Sequence, residues 1–523
     1  MSTETLTARP ISGQPAARQA AAGIYNNERW TETQKIAFRI AFIFVTLFCF
    51  PLDTGFYRMI YHFDYAHLTY RELTEVVAFF NPQFINIFSA SGFFGPASYI
   101  NFPFILLIAI IGGIIWTALD QQRTQYNLLY YWVRVFARYR VAYAGIGWGY
   151  KKLFVMQMPR EYEGLWNTEL IDFFAKRLYW EAISVAPRYE VFLGFAEFIG
   201  GFLLLFRRTT GIGAAITLIV FGNIAISNHA YDIGEQVPSA AMAMLSMFIL
   251  WHDVPGVWSL IVKEQDARIV HYYPKFKIAW QKYARLAVKY AFNFVFVVLF
   301  FILEVYGYTH NDFYKIPNTP GLKGSAGFYE VTEFKLNNKV VPYSQQDSIR
   351  WHDVTFEDWS SISIKLANRP QDIEMFAAGS YPRRTEVYDG KWHFHWQGDI
   401  RRYGDPEKKH RKKDPAQRDL NITWESSGMA GRHWYYYKAD TVKHVLYLQN
   451  KSRTNRHLKQ VLHYSRPSAN RIILSGLNEF KDSIYVVLDR SAKKYPLTQI
   501  SLSSQRQGMS NHLNNNQIEQ NRF

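Results

Sequence analysis

Long apolar stretches recur through the chain as far as residue 308. A helix needs about 18 to 20 predominantly apolar residues to cross a bilayer, and several of these stretches are near the minimum length. The pattern therefore predicts seven membrane helices. They lie at residues 36–52, 102–119, 141–156, 189–206, 211–227, 238–251 and 287–308.

The pattern changes after residue 327, where short runs of alternating apolar and polar residues replace the long stretches. Val, Ile, Tyr and Trp fill these runs and turn residues separate them, which is typical of β-strands. About ten strands with short gaps favour an antiparallel barrel or sandwich, with a small lipocalin-like barrel preferred. The clearest runs lie at residues 328–336, 348–356, 361–367, 391–398, 421–426, 433–439, 444–449, 470–476 and 482–490.

The predicted fold class is an α-helical membrane bundle followed by an all-β, extracytoplasmic domain. The mean hydropathy of −0.17 hides this division because it averages two chemically different halves. The predicted segments are a cytoplasmic polar tail (1–35), two helices joined by a long outer loop (36–137), a four-helix core (138–252), a basic loop (253–286), a last helix (287–308), a linker (309–327), the β domain (328–504) and a polar tail (505–523).

Basic residues predict the orientation of the helices. The formal net charge is +16, and cations concentrate before the first predicted helix and in every second loop. Short cytoplasmic loops carry excess Lys and Arg, so the N-terminus is predicted to be cytoplasmic and the β domain to lie outside. The same placement beside apolar segments argues against nucleic acid as a partner. These cations are Arg9, Arg18, Arg29, Lys35, Arg123, Arg134, Arg138, Arg140, Arg207, Arg208, Lys263, Arg268, Lys275, Lys277, Lys282, Arg285 and Lys289.

Two long outer loops, 53–101 and 158–188, are aromatic and of mixed charge, with short helices predicted at 71–80 and 170–180. They form either a cap over the helix ends or amphipathic connectors on the lipid surface. Lys151 and Lys152 are expected to reach an interface along their long stems. Cys49 is the one cysteine and lies in an apolar stretch, so the β domain has no internal disulfide.

Polar residues converge near the outer ends of three neighbouring predicted helices. Gly145, Gly149 and Lys152 share one face of the third helix. Glu197 shares a face of the fourth helix with Gly194 and Gly201. Ionisable groups are costly within a membrane, so each needs a partner, a polar cavity or a function. The candidate ligand-binding residues are Lys152, Glu197, Asn223, Asn228, Tyr231 and Asp232.

A structural role explains the same polar residues equally directly. A buried pair of Glu197 with Lys152, or of Glu197 with Asn223, would fix helix packing without any ligand. Both interpretations place Glu197 inside the bundle, because a carboxylate facing lipid costs on the order of 3 kcal/mol.

The segment 138–252 resembles the DoxX-like family of four-helix membrane proteins. The resemblance rests on RYRVAYAGIGWGYKKLF (138–154), FLGFAEFIGGFLLLFRRTTGIGA (192–214) and the polar series from Asn223 to Asp232. The flanking helices and the β domain, with YSRP at 464–467, resemble a longer bacterial form of that family. This resemblance implies a quinone-associated or redox-support role, and residence in the bacterial inner membrane.

Two features of the β domain suggest weaker hypotheses. KKHRKK at 408–413 is interpreted as a solvated loop, with anionic headgroups as the alternative contact. His393 and His395 have a spacing compatible with metal binding but no recognisable third ligand, and Trp392, Phe394 and Trp396 are interpreted as barrel core. No metal site is predicted.

Three functions remain open from the sequence. The first is a non-catalytic membrane subunit or scaffold of a cell-envelope complex. The second is a quinone-associated redox-support protein with a ligand pocket in the outer half of the membrane. The third is a lipid-handling protein. The chain contains no recognisable catalytic or cofactor motif. The resemblance implies a bound quinone as the ligand, and the third function implies a bound lipid. The expected partners are the lipid bilayer and other envelope subunits.

Overall fold

The computed structural model describes most of residues 29–493. The tails, the KKHRKK segment and the side chains of His393 and His395 lie outside the described residues. Within 29–493, the gaps are 53, 79–83, 89–94, 159–160, 267–273, 275–277, 314, 346, 367–392, 397–415, 417–418, 421, 423 and 453–454.

Helices predominate as far as residue 309, and the first six apolar stretches each overlap one helix, while 287–308 overlaps two consecutive helices and the π-helical turn between them. The first helix begins at a capping box, in which the side chains of Thr31 and Gln34 each accept from the other's backbone N–H. The helices are α1 (Glu32–Cys49), α2 (Thr54–Tyr61), α3 (Tyr70–Ala78), α4 (Asn101–Leu119), α5 (Asn127–Leu153), α6 (Glu163–Trp166), α7 (Ala175–Ser184), α8 (Pro187–Leu204), α9 (Thr210–Ala230), α10 (Gln236–Trp251), α11 (Val254–Ile261), α12 (Ala279–Asn293) and, after a π-helical turn at Phe294–Leu299, α13 (Phe300–Thr309).

Fewer helices than predicted are apolar enough to cross a membrane by length and composition alone. Among the described residues three are: Pro96–Leu119, Arg207–Ala230 and Ala279–Thr309. A fourth is added if α10 and α11, bent by 66°, form one span. The helices α1, α5 and α8 do not qualify because each carries at least three charged residues. The prediction of seven spans is therefore not supported by composition.

The third predicted helix was also placed wrongly at its start. Helix α5 begins at Asn127, so Arg134, Arg138 and Arg140 lie within it and are buried, rather than in a cytoplasmic loop. The apolar pattern missed this first half because charged residues interrupt it.

Buried arginines cap the C-terminal ends of other helices. Arg39 of α1 donates to the carbonyl of Asp120 at the end of α4, at 2.7 Å. Arg138 donates twice to the carbonyl of Leu204 at the end of α8, at 2.7 and 3.0 Å. Arg134 donates to Ile249 near the end of α10, at 3.0 Å. These carbonyls have no partner within their own helices, and the dipole there favours a cation. The ends of α4, α8 and α10 therefore lie beside the first half of α1 or α5.

The C-terminal half contains a closed antiparallel β-barrel of eight strands, which confirms the preferred prediction of a barrel, although about ten strands were expected. The strands β11 and β2 pair and close the sheet, and β3 adds a short hairpin outside β2. The order is β11-β10-β9-β8-β7-β5-β4-β2. The strands are β1 (Ile85–Phe88), β2 (Gly327–Leu336), β3 (Lys339–Val340), β4 (Asp353–Phe356), β5 (Ser361–Lys365), β6 (His393–Trp396), β7 (Arg432–Asp440), β8 (Val445–Asn450), β9 (Lys459–Ser468), β10 (Arg471–Leu477) and β11 (Ser483–Arg490).

Two strand predictions were wrong and one strand was missed. The run at 391–398 was placed in the barrel, but β6 pairs with β1 in a separate two-stranded sheet. The described residues of the run at 421–426 do not form a strand, since residues 424–426 lie in a turn that contacts the helical half. Strand β9, which includes YSRP, was missed because it has few apolar residues and its second half is exposed.

The barrel lumen is filled by its own side chains. Tyr329, Phe334, Phe356 and Tyr437 are at most 1% exposed and belong to one buried cluster that has apolar residues from every strand of the wall. An eight-stranded barrel is just wide enough for side chains to fill it. Packing of this cluster is the main source of the barrel's cohesion.

Candidate functional site

Helices α5 and α8 approach each other backbone to backbone through the predicted glycine faces. A Cβ atom added at Gly145 would lie 2.9 Å from the carbonyl oxygen of Glu197. One added at Gly201 would lie 2.7 Å from the carbonyl oxygen of Ala142. Small residues at such positions are what allow membrane helices to pack this closely. The close approach brings the charged side chains of the two helices within reach of each other.

A methyl group at Gly201 should separate these helices. Gly201→Ala is expected to lower the free energy of unfolding by about 1–3 kcal/mol, because backbone atoms of α5 must shift to accept the new carbon. Gly222→Ala is the matched control, since a Cβ there meets nothing within 4 Å and Ala favours a helix by up to about 1 kcal/mol. Thermal unfolding of the purified chain measures both. Equal stability of the two variants would contradict the close contact.

Lys152 and Glu197 form a buried ion pair between these helices. Lys152 Nζ lies 2.6 Å from Glu197 Oε1, and the side chains are 7% and 1% exposed. The second carboxylate oxygen, Oε2, has no hydrogen-bond partner among the described residues. The expectation that Lys152 extends to an interface is wrong, because its ammonium is held inside the bundle.

Lys151 makes a second buried pair on the other side of α5. Its Nζ lies 2.7 Å from Glu304 Oε1 of α13, and both side chains are fully buried. The same ammonium lies 3.7 Å from the centroid of the Tyr70 ring on α3, a cation–π contact. Like its neighbour, Lys151 does not extend to an interface. Two adjacent lysines therefore fasten α5 to α8 and to α13.

The other predicted site residues are dispersed. Asn223 is exposed on the outside of the bundle, away from the face expected of it. Asn228 is buried but donates to the Glu235 carbonyl at 2.8 Å, fastening the turn from α9 to α10. Asp232 lies in that turn, is exposed, and accepts from Gln236 at 3.1 Å. The structure therefore brings Lys152 and Glu197 together but leaves these three apart from them.

Tyr231 is connected to the Lys152–Glu197 pair through another tyrosine, Tyr179. Its ring lies 4.8 Å from that of Tyr179 on α7. Tyr179 lies close enough to Ser227 and to the Glu197 carboxylate for both to act on its hydroxyl group. Tyr179 of α7 is therefore near the Glu197 end of the pair and near Ser227 of α9, although Tyr179 was not among the predicted site residues.

The loop 158–188 lies between the helical half and the barrel and contacts the segment before β7. This position agrees with its interpretation as a cap over the helix ends. Arg177 of α7 is fully buried, donates to the carbonyls of Trp424 and Ser427 at 2.9 and 3.2 Å, and pairs with Glu181 at 2.6 Å. A bridge between Phe173 and Met429 adds a backbone connection. The segment before β7 is therefore attached directly to the end of the helical half at which α5 ends and α8 begins.

Buried carboxylates complete this junction. Glu357, at the turn between β4 and β5, accepts from the backbone N–H groups of Glu163 and Gly164 at 2.9 and 2.8 Å, so it caps the short helix α6. Burial raises the pKa of Glu357 to about 8, against the opposing effect of the Gly164 N–H. Glu425 pairs with Lys451 and accepts from the indole N–H of Trp359.

One wall of the barrel is consequently covered. Ser361 and Ser363 of β5 and Trp434 of β7 point out of the lumen but are buried under α6 and its flanking residues. Trp424 stacks with Trp180 of α7, with ring centroids 4.3 Å apart. The sequence contains only a weak indication that this wall is covered. On β5, small serines alternate with isoleucines, which is consistent with an outer face that packs against other residues.

Comparison with known proteins gives little further information. No family model matches the chain, and no solved structure matches it. A segment of 74 residues, 14% of the chain, is 35% identical to the uncharacterized protein YwoB of Bacillus subtilis (strain 168). The match spans about half, 48%, of the length of that curated relative. Among the described residues, no group of three or more His, Cys, Asp or Glu side chains is arranged to hold a metal ion.

Proposed function

We propose that the chain is an integral membrane scaffold of a bacterial cell-envelope complex, non-catalytic on its own. All seven long helices cross the inner membrane, and the barrel is held on the extracytoplasmic side. The observation that carries this proposal is a difference between two sides of the barrel wall. The helical half covers β4, β5 and β7, whereas β8, β9 and β10 expose apolar side chains among the described residues.

The side formed by β8, β9 and β10 carries apolar residues in one row. Tyr447 is paired with Val461 and Val461 with Leu477, so the three lie side by side on neighbouring strands. They are 44%, 45% and 52% exposed, and Phe480 in the next turn is 72% exposed. Contiguous exposed apolar residues on a soluble surface are typical of an interaction site. This row is the surface we assign to a partner subunit.

The buried ion pairs support seven crossings despite the charged residues of α1, α5 and α8. Lys152, Glu197 and Arg39 direct their charges towards other helices, so these helices expose little charge to lipid. The arginine caps also support alternating directions, because they join the ends of α4, α8 and α10 to the early turns of α1 and α5. Helix α1, with 18 residues, is about 27 Å long, which is close to the thickness of about 30 Å of the hydrocarbon core.

Cysteine labelling tests the proposed orientation. Val442, 89% exposed in the turn between β7 and β8, should react with a membrane-impermeant maleimide in intact cells when replaced by Cys in a Cys49→Ser background. Lys263→Cys, exposed after α11, should react only after permeabilisation, because its loop is cytoplasmic in this proposal. The reverse labelling pattern would overturn the orientation.

A second candidate follows from the hydroxyl groups beside Glu197. Glu197 Oε2, which has no hydrogen-bond partner among the described residues, and the hydroxyl groups of Tyr179 and Ser227 could bind the oxygens of a quinone ring, the ligand that the DoxX-like resemblance implies. The chain would then be one subunit of a redox complex, with the electron donor elsewhere. The filled lumen gives no support to a barrel that carries lipid, so the lipid-handling alternative has less in its favour.

Native mass spectrometry of the solubilised complex separates these functions. The scaffold predicts other subunits at fixed stoichiometry, retained in Glu197→Gln and lost when Val461 and Leu477 are replaced by Lys. The redox role predicts a bound quinone that is lost in Glu197→Gln while the partners stay. A chain that is monomeric and free of quinone in gently solubilised membranes would overturn both proposals.

A further inference from the structure

Four cations converge at the end of the helical bundle opposite to the ion pairs. Arg138 comes from α5, Arg207 from the turn before α9, and Arg285 and Lys289 from successive turns of α12. The charged groups acting on Lys289 are the other three cations. Those acting most strongly on Arg138 are Arg134, Arg207 and two tyrosines. Positive charge from three separate segments is therefore concentrated at one place.

Aromatic side chains lie against Arg207 and Lys289, and a carbonyl at a helix end holds Arg138. Arg207 donates to the hydroxyl of Tyr131 at 2.7 Å, and its guanidinium lies 5.6 Å from the centroid of that ring. Lys289 Nζ lies 5.9 Å from the ring centroid of Phe206. Arg138 is held by its two bonds to Leu204. Arg207, Arg285 and Lys289 remain partly exposed, so a ligand can reach them from outside the bundle.

The length of the last helix places this cluster at the edge of the hydrocarbon layer. The continuous helix Ala279–Thr309 has 31 residues and is about 46 Å long, whereas the hydrocarbon core is about 30 Å thick. Lys289 lies about 30 Å before Thr309 along the axis. If Thr309 marks one boundary, Lys289 and Arg285 lie at the other, at the depth of the lipid phosphates.

We propose that Arg207, Arg285 and Lys289, supported by Arg138, form a binding site for the phosphate headgroup of an anionic phospholipid. Clustered cations raise one another's free energy where water is scarce, and an anion relieves that repulsion. Arg provides paired donors for phosphate oxygens, and basic pockets between membrane helices bind anionic headgroups. The acyl chains then lie along the apolar surface of α12 and α9, where Val288 and Ile212 are exposed.

This inference rests on the proposed membrane insertion, and it is tested on the purified full chain. The probes are phosphatidylglycerol, phosphatidylcholine and inorganic phosphate, with bound species counted by native mass spectrometry. Phosphatidylglycerol should bind with a clear preference. The double variant Arg285→Gln/Lys289→Gln should weaken that binding roughly fivefold for each cation removed. The control Lys263→Gln/Lys339→Gln removes the same charge from exposed positions elsewhere and should change nothing.

Three results would overturn the site: equal losses in the double variant and its control, equal binding of the two lipids, or full competition by inorganic phosphate at millimolar concentration. The charge-preserving variant Arg285→Lys/Lys289→Arg should retain binding, which separates loss of charge from misfolding. Lipid selectivity is measured in detergent, independently of the cellular labelling. A correct orientation without lipid preference would therefore refute this site alone, whereas the reversed orientation would refute the proposed insertion.

Discussion

Replacing Lys152 with Met should lower the free energy of unfolding by about 3–5 kcal/mol, because Glu197 then remains buried without its cation. The cost is high for this pair since both side chains are almost fully buried and Glu197 Oε2 already has no hydrogen-bond partner among the described residues. Denaturant or thermal unfolding of the purified chain, followed by tryptophan fluorescence, gives the size of the loss.

The double variant Lys152→Met/Glu197→Leu should recover most of that stability. Removing both charges abolishes two desolvation costs, and apolar replacements of buried pairs are often neutral or stabilising. Lys263→Met, which removes an exposed lysine, is the matched control and should stay within about 0.5 kcal/mol of the native chain. Losses that simply add in the double variant would show that the two residues do not act as a pair.

The same variants separate a structural pair from a ligand site. If the pair only fixes helix packing, the stable double variant should still assemble with its partners and retain their stoichiometry. If the pair binds a quinone, the double variant should be stable but lack the ligand. Stability and ligand content are therefore measured on the same preparations.

Much of the contact between α5 and α8 could be predicted from the sequence because helical periodicity is local. Glycines and a charged residue spaced by three or four positions must share a face. Periodicity does not identify which neighbour that face meets, and for this reason Asn223 was expected inside but lies outside. Glu304 could have been noticed as the lone carboxylate of the last apolar stretch, which needs a buried cation.

The barrel was predictable for a similar reason, since alternation with period two marks strands whose inner face is buried. The contact between the barrel and the helical half could not be predicted in this way. Arg177 meets Trp424 across 247 residues of sequence, and nothing local indicates that a turn of the β half covers a loop of the helical half. The run at 421–426 was taken for a strand because its Trp and Ile match strand composition, whereas Trp424 instead stacks on Trp180.

Replacing Arg177 with Met should detach the barrel from the loop 158–188 of the helical half. The change leaves the carbonyls of Trp424 and Ser427 without their donor and Glu181 without its cation, a loss of about 3–5 kcal/mol from the docked state. The barrel has its own buried core, so it should stay folded while the contact opens. The measurement is a disulfide between Phe173→Cys and Met429→Cys, made in a Cys49→Ser background, because these residues face each other in an antiparallel bridge.

With Arg177 intact, the two cysteines should crosslink nearly completely under mild oxidation, since docking holds them together. In the Arg177→Met background the crosslinked fraction should fall severalfold, while circular dichroism retains the β signal of the barrel. Arg188→Met, at the exposed start of α8, removes the same charge outside the junction and should leave the crosslink unchanged. An equally rapid crosslink in all three proteins would mean that Arg177 does not hold the barrel, and that the apolar contacts around Trp180 suffice.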